Sequence, residues 1–129
     1  MICLTLSGPT IEDNLLDLEA NKDFVDICEL RMDLLNPEEQ AKASAFPSLV
    51  NIPVILTLRR VSDGGKCNLQ EKARRSLLME TLKGGGFSYV DIEDDVEKSD
   101  VEECAHSLGV KVIRSFHDFE GIPADIFSK

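Results

Sequence analysis

The chain alternates between short apolar segments and helical patterns along nearly its whole length. Runs rich in Val, Ile and Leu predict five strands, at residues 2–6, 25–31, 54–58, 89–92 and 111–116. Apolar residues at helical spacing, or a proline at a helix start, predict the intervening helices at residues 11–20, 37–49, 69–83 and 101–108. Such alternation predicts a parallel sheet covered by helices, because neighbouring parallel strands need a crossover connection between them.

Two parallel architectures fit this pattern: a doubly wound open sheet and a (β/α)8 barrel. An open sheet carries helices on both faces, so both faces of its strands should be apolar. Here one face of each strand becomes polar toward its carboxyl end, since residues two apart share a face. The sequence therefore favours the barrel. The polar pairs are Glu29 and Arg31, Thr57 and Arg59, Asp91 and Glu93, and Ser115 and His117.

Length and composition set further limits. A whole barrel takes ~250 residues, so we expect these 129 residues to form a single, incomplete barrel domain with about the first five strands. The net charge of −10 disfavours nucleic acid and anionic membranes as partners. Four scattered cysteines predict neither a disulfide framework nor a zinc site. Since the first residues also lack the features of a signal peptide, we expect a cytoplasmic location.

The polar strand ends predict a binding site, because barrel enzymes place their active sites at the carboxyl ends of their strands. Arg31 and Arg59 suit an oxygen-rich anionic small molecule through fork-shaped hydrogen bonding. His117 is the natural acid–base group near neutral pH. A purely structural interpretation is also open, in which Glu29–Arg31 and Asp91–Arg59 are ion pairs that pack a barrel interior.

Four motifs, taken in order, resemble type I 3-dehydroquinate dehydratase of the shikimate pathway. Each motif is weak alone, but their order and spacing agree with that family across nearly the whole chain. The resemblance implies a (β/α)8-barrel lyase that dehydrates 3-dehydroquinate to 3-dehydroshikimate through a lysine Schiff base, with no cofactor or metal. The motifs are ELRMD (29–33), LTLRRVSDGG (56–65), YVDIED (89–94) and SFHDFEGIP (115–123).

The same resemblance implies roles for individual residues. His117 would be the general acid–base, because the imine makes the neighbouring carbon-bound proton acidic enough for an imidazole to remove. Asp63 takes a catalytic position that the family often fills with glutamate. The implied substrate-binding residues are Thr5, Glu29, Arg31 and Arg59, and the implied supporting residues are Asp91, Glu93 and Ser115.

The Schiff-base lysine of the family lies on the strand after the histidine strand, and no lysine of this chain matches it. Lys129 follows His117 too closely, because a crossover to the next parallel strand alone takes a dozen residues or more. Lys111 lies at the amino end of its strand. We therefore expect the amino-terminal part of a dehydratase, ending before the lysine strand, and no measurable dehydration by residues 1–129 alone.

Two other functions remain open at this point. One is a metal-dependent sugar isomerase or epimerase, with a divalent ion held by Glu29, Asp91, Glu93 and His117; the nearby arginines make a cation less favourable there. The other is a non-catalytic half-barrel. Its open strand edges and exposed inner face would favour a homodimer or association with the missing half of the barrel.

Overall fold

A computed structural model describes residues 2–93 and the backbone of residues 100–115, with the side chains of all of these except Ser115. Five parallel strands form one sheet in the order β1-β2-β3-β4-β5. A doubly wound sheet reverses its strand order at a switch point, whereas a barrel adds each strand beside the preceding one. The observed order is that of a barrel. The strands are β1 Cys3–Leu6, β2 Ile27–Arg31, β3 Val54–Thr57, β4 Tyr89–Glu93 and β5 Lys111–Ser115.

Helical segments connect the strands. The α-helices are α1 Ile11–Asn21, α2 Pro37–Gln40, α3 Glu71–Leu82 and α4 Asp100–Ser107, and the 3-10 segments are Met32–Leu34, Ala43–Leu49 and Val61–Asp63. The single helix predicted over residues 37–49 is therefore wrong. Pro37 starts a short α-helix as expected, but Pro47 lies inside the second segment, and proline has no N–H to donate to a regular helical ladder.

The sheet has one apolar face and one mixed face that carries the charged side chains of β2 and β4. Leu6, Leu30, Leu56 and Val90 are fully buried on the first, where they belong to the same core as residues from the helices. The strand register preserves this division, because Thr5 pairs with Glu29 and Arg31 pairs with Thr57. Alternate residues therefore line a common second face, which we call the inner face.

The start of α1 shows how the loops at the carboxyl ends of the strands are fixed. Thr10 is extended and its hydroxyl accepts a hydrogen bond from the Asp13 amide at 3.0 Å, which is the usual cap of a helix. Buried Glu39, on α2, accepts a hydrogen bond from the Ile11 amide at 2.8 Å and from Lys42 Nζ at 2.6 Å. This carboxylate therefore joins α2 to the first turn of α1.

No helix in residues 2–93 and 100–115 is long and apolar enough to cross a membrane. All four cysteines are free: Cys28 and Cys67 are buried, Cys104 is partly buried and Cys3 is exposed.

Candidate functional site

Glu29 lies on the inner face, in the middle of β2. Thr5 Oγ1 on β1 donates to Glu29 Oε1 at 3.1 Å, and Thr57 Oγ1 on β3 donates to Glu29 Oε2 at 2.7 Å. Both carboxylate oxygens are thus bound by hydroxyls from the two neighbouring strands. This arrangement fixes the orientation of the Glu29 carboxylate.

Arg59 follows β3 and joins two carboxylates. Its Nη2 donates to Asp91 Oδ2 at 3.2 Å and lies 3.8 Å from Glu29 Oε2. The pair Asp91–Arg59 considered from the sequence is therefore present. Asp91 is buried, and within the described part of the chain its Oδ1 has no hydrogen-bond partner. Because a buried acceptor without a donor is costly, this oxygen is suited to receive a hydrogen bond from a ligand.

Arg31 pairs with Asp33 rather than with Glu29, so that part of the structural interpretation is wrong. Arg31 Nε donates to Asp33 Oδ1 at 3.0 Å, and Nη2 donates to Asp33 Oδ2 at 2.8 Å. These hydrogen bonds raise the pKa of the Arg31 guanidinium, although its partial burial acts in the opposite direction. Arg31 stays charged, with one edge of its guanidinium occupied by Asp33.

Asp33 is a site residue that the sequence interpretation missed. Its carboxylate also accepts hydrogen bonds from two backbone amides, those of Arg59 at 3.2 Å and Lys66 at 3.1 Å. Burial raises the pKa of Asp33, but the bonds from Arg31 and from the two amides outweigh it, and the pKa lies below its ordinary value. The available signal was position: Asp33 continues the alternation of Glu29 and Arg31 by two more residues.

Asp63 lies in the loop after β3, at the end of the segment Val61–Asp63. It accepts a hydrogen bond from Arg60 Nε at 2.7 Å. Gly64 follows with a φ of 85°, and Gly65 packs so tightly that a Cβ there would lie 2.2 Å from the Arg59 carbonyl oxygen. Gly64 and Gly65 therefore allow the loop to turn just after Asp63 and to pack against the end of β3.

Glu93, at the carboxyl end of β4, is bound by Arg74 from α3. Arg74 Nη1 and Nη2 each donate to one oxygen of Glu93 at 3.0 Å, and Nη1 also donates to the Leu58 carbonyl oxygen at 3.0 Å. Burial lowers the pKa of Arg74, but its pairing with Glu71 and Glu93 more than reverses this effect. The sequence interpretation also missed Arg74, whose only signal was a Glu71–Arg74 pair at helical spacing.

The structure therefore brings four of the nine predicted site residues together and leaves the side chains of two undescribed. Thr5, Glu29, Arg59 and Asp91 form one cluster, which we call the inner-face cluster. Arg31, Asp63 and Glu93 pair with Asp33, Arg60 and Arg74 respectively. His117 and the side chain of Ser115 lie outside the described residues, although the backbone of Ser115 pairs with Glu93.

The electrostatics of this cluster disfavour the metal-dependent alternative. A divalent ion would need to lie between Glu29 and Asp91, where the Arg59 guanidinium already contacts both carboxylates. Across residues 2–93 and 100–115, no group of three or more His, Cys, Asp and Glu side chains could hold a metal ion. The third carboxylate of that proposal, Glu93, is occupied by Arg74.

Sequential parallel strands with charged side chains at their carboxyl ends define the class as a (β/α)-barrel enzyme. The family model described as type I 3-dehydroquinase matches residues 2–129, and the chain belongs to this family. This confirms the resemblance, the barrel-type fold and the expected hydro-lyase family.

Known relatives agree in sequence and in structure. The 3-dehydroquinate dehydratase of Klebsiella pneumoniae is 32% identical over 134 residues, which cover 96% of this chain and 53% of that protein. The pentafunctional AROM polypeptide of Malassezia globosa is 31% identical over 128 residues, covering 92% of this chain and 8% of the polypeptide.

A solved structure extends the comparison to the backbone. The type I 3-dehydroquinate dehydratase of Clostridium difficile, with covalently modified comenic acid, superposes with a TM-score of 0.80 and 28% identity, covering 98% of this chain and 54% of that one. The chain thus spans about half the length of these single-activity relatives. Some relatives, such as the Malassezia polypeptide, are multifunctional.

Proposed function

We propose that the chain supplies part of the substrate site of a 3-dehydroquinate dehydratase, which removes water from 3-dehydroquinate to give 3-dehydroshikimate. The observation that carries the proposal is the inner-face cluster, in which Arg59, just beyond the carboxyl end of β3, meets Glu29 of β2 and Asp91 of β4. Membership of the type I 3-dehydroquinase family supports the choice of reaction. The relatives' printed activity supports the choice of substrate.

The charges of the site indicate which part of the substrate it binds. Three carboxylates (Glu29, Asp33, Asp91) face two guanidinium groups (Arg31, Arg59), so this group carries one excess negative charge. A carboxylate ligand would be repelled by that excess, whereas a hydroxyl can donate to a carboxylate and accept from a guanidinium. We therefore assign Thr5, Glu29, Arg31 and Arg59 mainly to the substrate hydroxyls, with Asp91 Oδ1 as a further acceptor.

We assign the proton transfers to His117, with Asp63 close to them. The backbone pairing of Ser115 with Glu93 supports this assignment, because it puts the start of the SFHDF motif at the same end of the sheet as the inner-face cluster. Imidazole is suited to take the proton beside an imine and to assist departure of the hydroxyl. Supporting roles for Asp91, Glu93 and Ser115 complete the assignment.

We also propose that residues 1–129 form the first part of one barrel domain and that the Schiff-base lysine belongs to the other half of the family's length. Exposure of Cys3, Thr5 and Ile113 on the inner face supports a covering partner there. Further strands of the same barrel would fit that face, as would a second copy of the chain. The absence of a membrane-spanning helix in the described residues is compatible with the cytoplasmic location that we propose.

The proposed activity is tested by assaying the protein expressed from its complete gene with 3-dehydroquinate. The product contains a conjugated enone, so its appearance is followed by ultraviolet absorbance. We expect turnover, and we expect Arg59→Met to lower kcat/KM by about 10- to 100-fold, as is usual for loss of a charge-assisted hydrogen bond. Arg75→Met, on α3 where Arg75 pairs with Asp100 of α4, is the matched control and should be close to wild type.

Two further experiments distinguish the proposed function from the alternatives. Residues 1–129 prepared alone should give no measurable dehydration. Turnover that is abolished by EDTA and restored by manganese or magnesium would favour the metal-dependent alternative instead. A complete protein that folds but does not consume 3-dehydroquinate would overturn the proposal.

A further inference from the structure

Asp33 is the most enclosed charged group near the inner-face cluster. Its side chain is 0% exposed, and its two oxygens accept four hydrogen bonds from three separate parts of the chain. Two come from the Arg31 side chain, one from the Arg59 amide at the end of β3, and one from the Lys66 amide in the following loop. Burying a carboxylate to this extent is costly without such compensation.

The contacts of Asp33 affect both arginines of the site, in different ways. For Arg31 it binds the side chain directly, using Nε and Nη2. A guanidinium has five N–H donors in a rigid plane, so fixing two of them fixes the direction of the remaining three. For Arg59 it binds the backbone amide, which fixes the point from which that side chain reaches Asp91 and Glu29.

The loop after β3 depends on the same carboxylate. The Lys66 amide donates to Asp33 Oδ2 at 3.1 Å, and Gly65 packs directly against the Arg59 carbonyl. A neutral amide side chain at position 33 has one acceptor oxygen instead of two, and its NH2 group would meet the N–H donors that now point at the second oxygen. Each oxygen accepts one bond from Arg31 and one from a backbone amide, so an Asn at this position would lose one bond of each kind whichever way its amide is turned.

From these contacts we infer that Asp33 is a positioning residue that sets the geometry of both Arg31 and Arg59 for ligand binding. The inference rests on the proposed function, because it assigns those arginines to the substrate hydroxyls. Asp33 itself touches no substrate in this account, since its side chain is fully enclosed. Its removal should weaken binding of substrate and transition state alike, which raises KM while leaving kcat nearly unchanged.

The test uses the protein expressed from its complete gene, with Asp33→Asn as the variant and Glu39→Gln as the matched control. Glu39 is also a buried carboxylate that binds a backbone amide and a cationic side chain, but its partners are Ile11 and Lys42. Both variants lose a buried negative charge, so a general loss of stability should appear in both. Only Asp33→Asn should raise KM for 3-dehydroquinate, by about 10-fold or more.

A second readout does not depend on activity. With arginine labelled by 15N at Nε, NMR should show a slowly exchanging Arg31 Nε–H in the wild type and in Glu39→Gln, and faster exchange in Asp33→Asn, where the two-bond pairing is broken. Arg31→Lys provides the assignment of that signal. In the Asp33→Asn background Arg31→Lys should raise KM by much less than it does alone, because coupled residues are not additive.

The outcomes separate the two proposals. An Arg31 Nε–H that exchanges as slowly in Asp33→Asn as in the wild type would overturn the inference. So would faster exchange with a KM equal to that of Glu39→Gln. If the wild-type protein gives no turnover, the proposed function fails, and the NMR comparison still decides whether Asp33 holds Arg31.

Discussion

At the residue scale, the Glu29 carboxylate accepts hydrogen bonds from two threonine hydroxyls that differ in burial. Substituting each threonine in turn therefore compares a buried with an exposed hydrogen bond. Thr57, which donates at 2.7 Å, is buried, whereas Thr5, which donates at 3.1 Å, is exposed. Thr57→Val should lower the free energy of unfolding by about 1–2 kcal/mol, because it leaves a partly buried carboxylate oxygen without its donor. Thr5→Val should cost less, since water can replace that hydroxyl.

Urea unfolding of both variants checks this prediction. Equal losses for the two substitutions, or no loss for Thr57→Val, would show that the hydroxyl of β3 does not hold Glu29.

Asp33 predicts a dependence of stability on pH. Its pKa in the folded chain is lowered from the ordinary 3.8, so the folded state binds this proton less readily than the unfolded state does. The stabilisation is therefore present above the ordinary pKa and is lost as the pH falls below it, through the lowered value. Urea unfolding from about pH 6 to about pH 3 should show a steeper decline for the wild type than for Asp33→Asn. Parallel curves would contradict this account.

At the residue scale the sequence predicted which positions are polar but not which groups pair. Alternation along the strands is enough to place Glu29, Arg31 and Arg59 on one face. The pairing of Arg31 with Asp33 depends on the turn that follows β2 and on rotamers, which alternation does not determine. His117, the most informative residue of the resemblance, lies outside the described residues and stays a prediction.

At the scale of elements, Arg74 joins α3 to the sheet. This fully buried side chain binds Glu93 of β4, the Leu58 carbonyl after β3, and Glu71 on its own helix. Arg74→Met should cost about 3–5 kcal/mol, because the buried Glu93 carboxylate loses both hydrogen bonds from Arg74 and, among the described residues, keeps only Arg60 Nε, at 4.0 Å. The neighbouring Arg75 pairs with Asp100 at 3.4 Å near the surface, so Arg75→Met should cost less than about 1 kcal/mol.

Thermal or urea denaturation of the two arginine variants distinguishes these cases. Similar stability for Arg74→Met and Arg75→Met would mean that the Glu93 pair contributes nothing beyond a surface ion pair.

Elements were predicted well wherever apolar periodicity was strong. The predicted helix over residues 69–83 is observed as Glu71–Leu82, and the last predicted helix differs by one residue at each end. The helix predicted after β2 was wrong, because the backbone there is determined by Pro47 and by short 3-10 turns rather than by apolar periodicity. The burial of Arg74 was not predicted either, because a charged residue on a helix is usually exposed to solvent.

For the whole molecule, the described helices pack against the apolar face of the sheet, which contains Cys28. Cys3 and Cys28 report on opposite faces of adjacent strands, one exposed and one buried. Burial raises the pKa of the Cys28 thiol to about 12, with a further contribution from Cys3. In residues 1–129 prepared alone, iodoacetamide at about pH 8 should modify Cys3 at least about ten times faster than Cys28. The reagent reacts with the thiolate form, and it must also have access to the sulfur.

Peptide mass spectrometry after timed labelling measures both rates in one sample. Faster labelling of Cys28 than of Cys3 would indicate that the helices cover the face of Cys3 instead of the face of Cys28. That result would contradict the barrel assignment.

The whole-molecule prediction succeeded because two simple facts agree. Consecutive strands are adjacent in the sheet, and the core-facing residues of β1 to β4 are apolar. Together they distinguish a barrel from a doubly wound sheet without any knowledge of loops. What covers the inner face cannot be derived in this way, because it depends on chain beyond these five strands or on a partner.

The most direct test of the account is the intact mass of the protein expressed from its complete gene, after incubation with 3-dehydroquinate and borohydride. Borohydride reduces a Schiff base to a stable amine. We predict a covalent adduct in the wild type and much less adduct in Arg59→Met at limiting substrate. A folded wild-type protein that gains no mass from 3-dehydroquinate would contradict the proposal that the inner-face cluster serves a type I dehydratase.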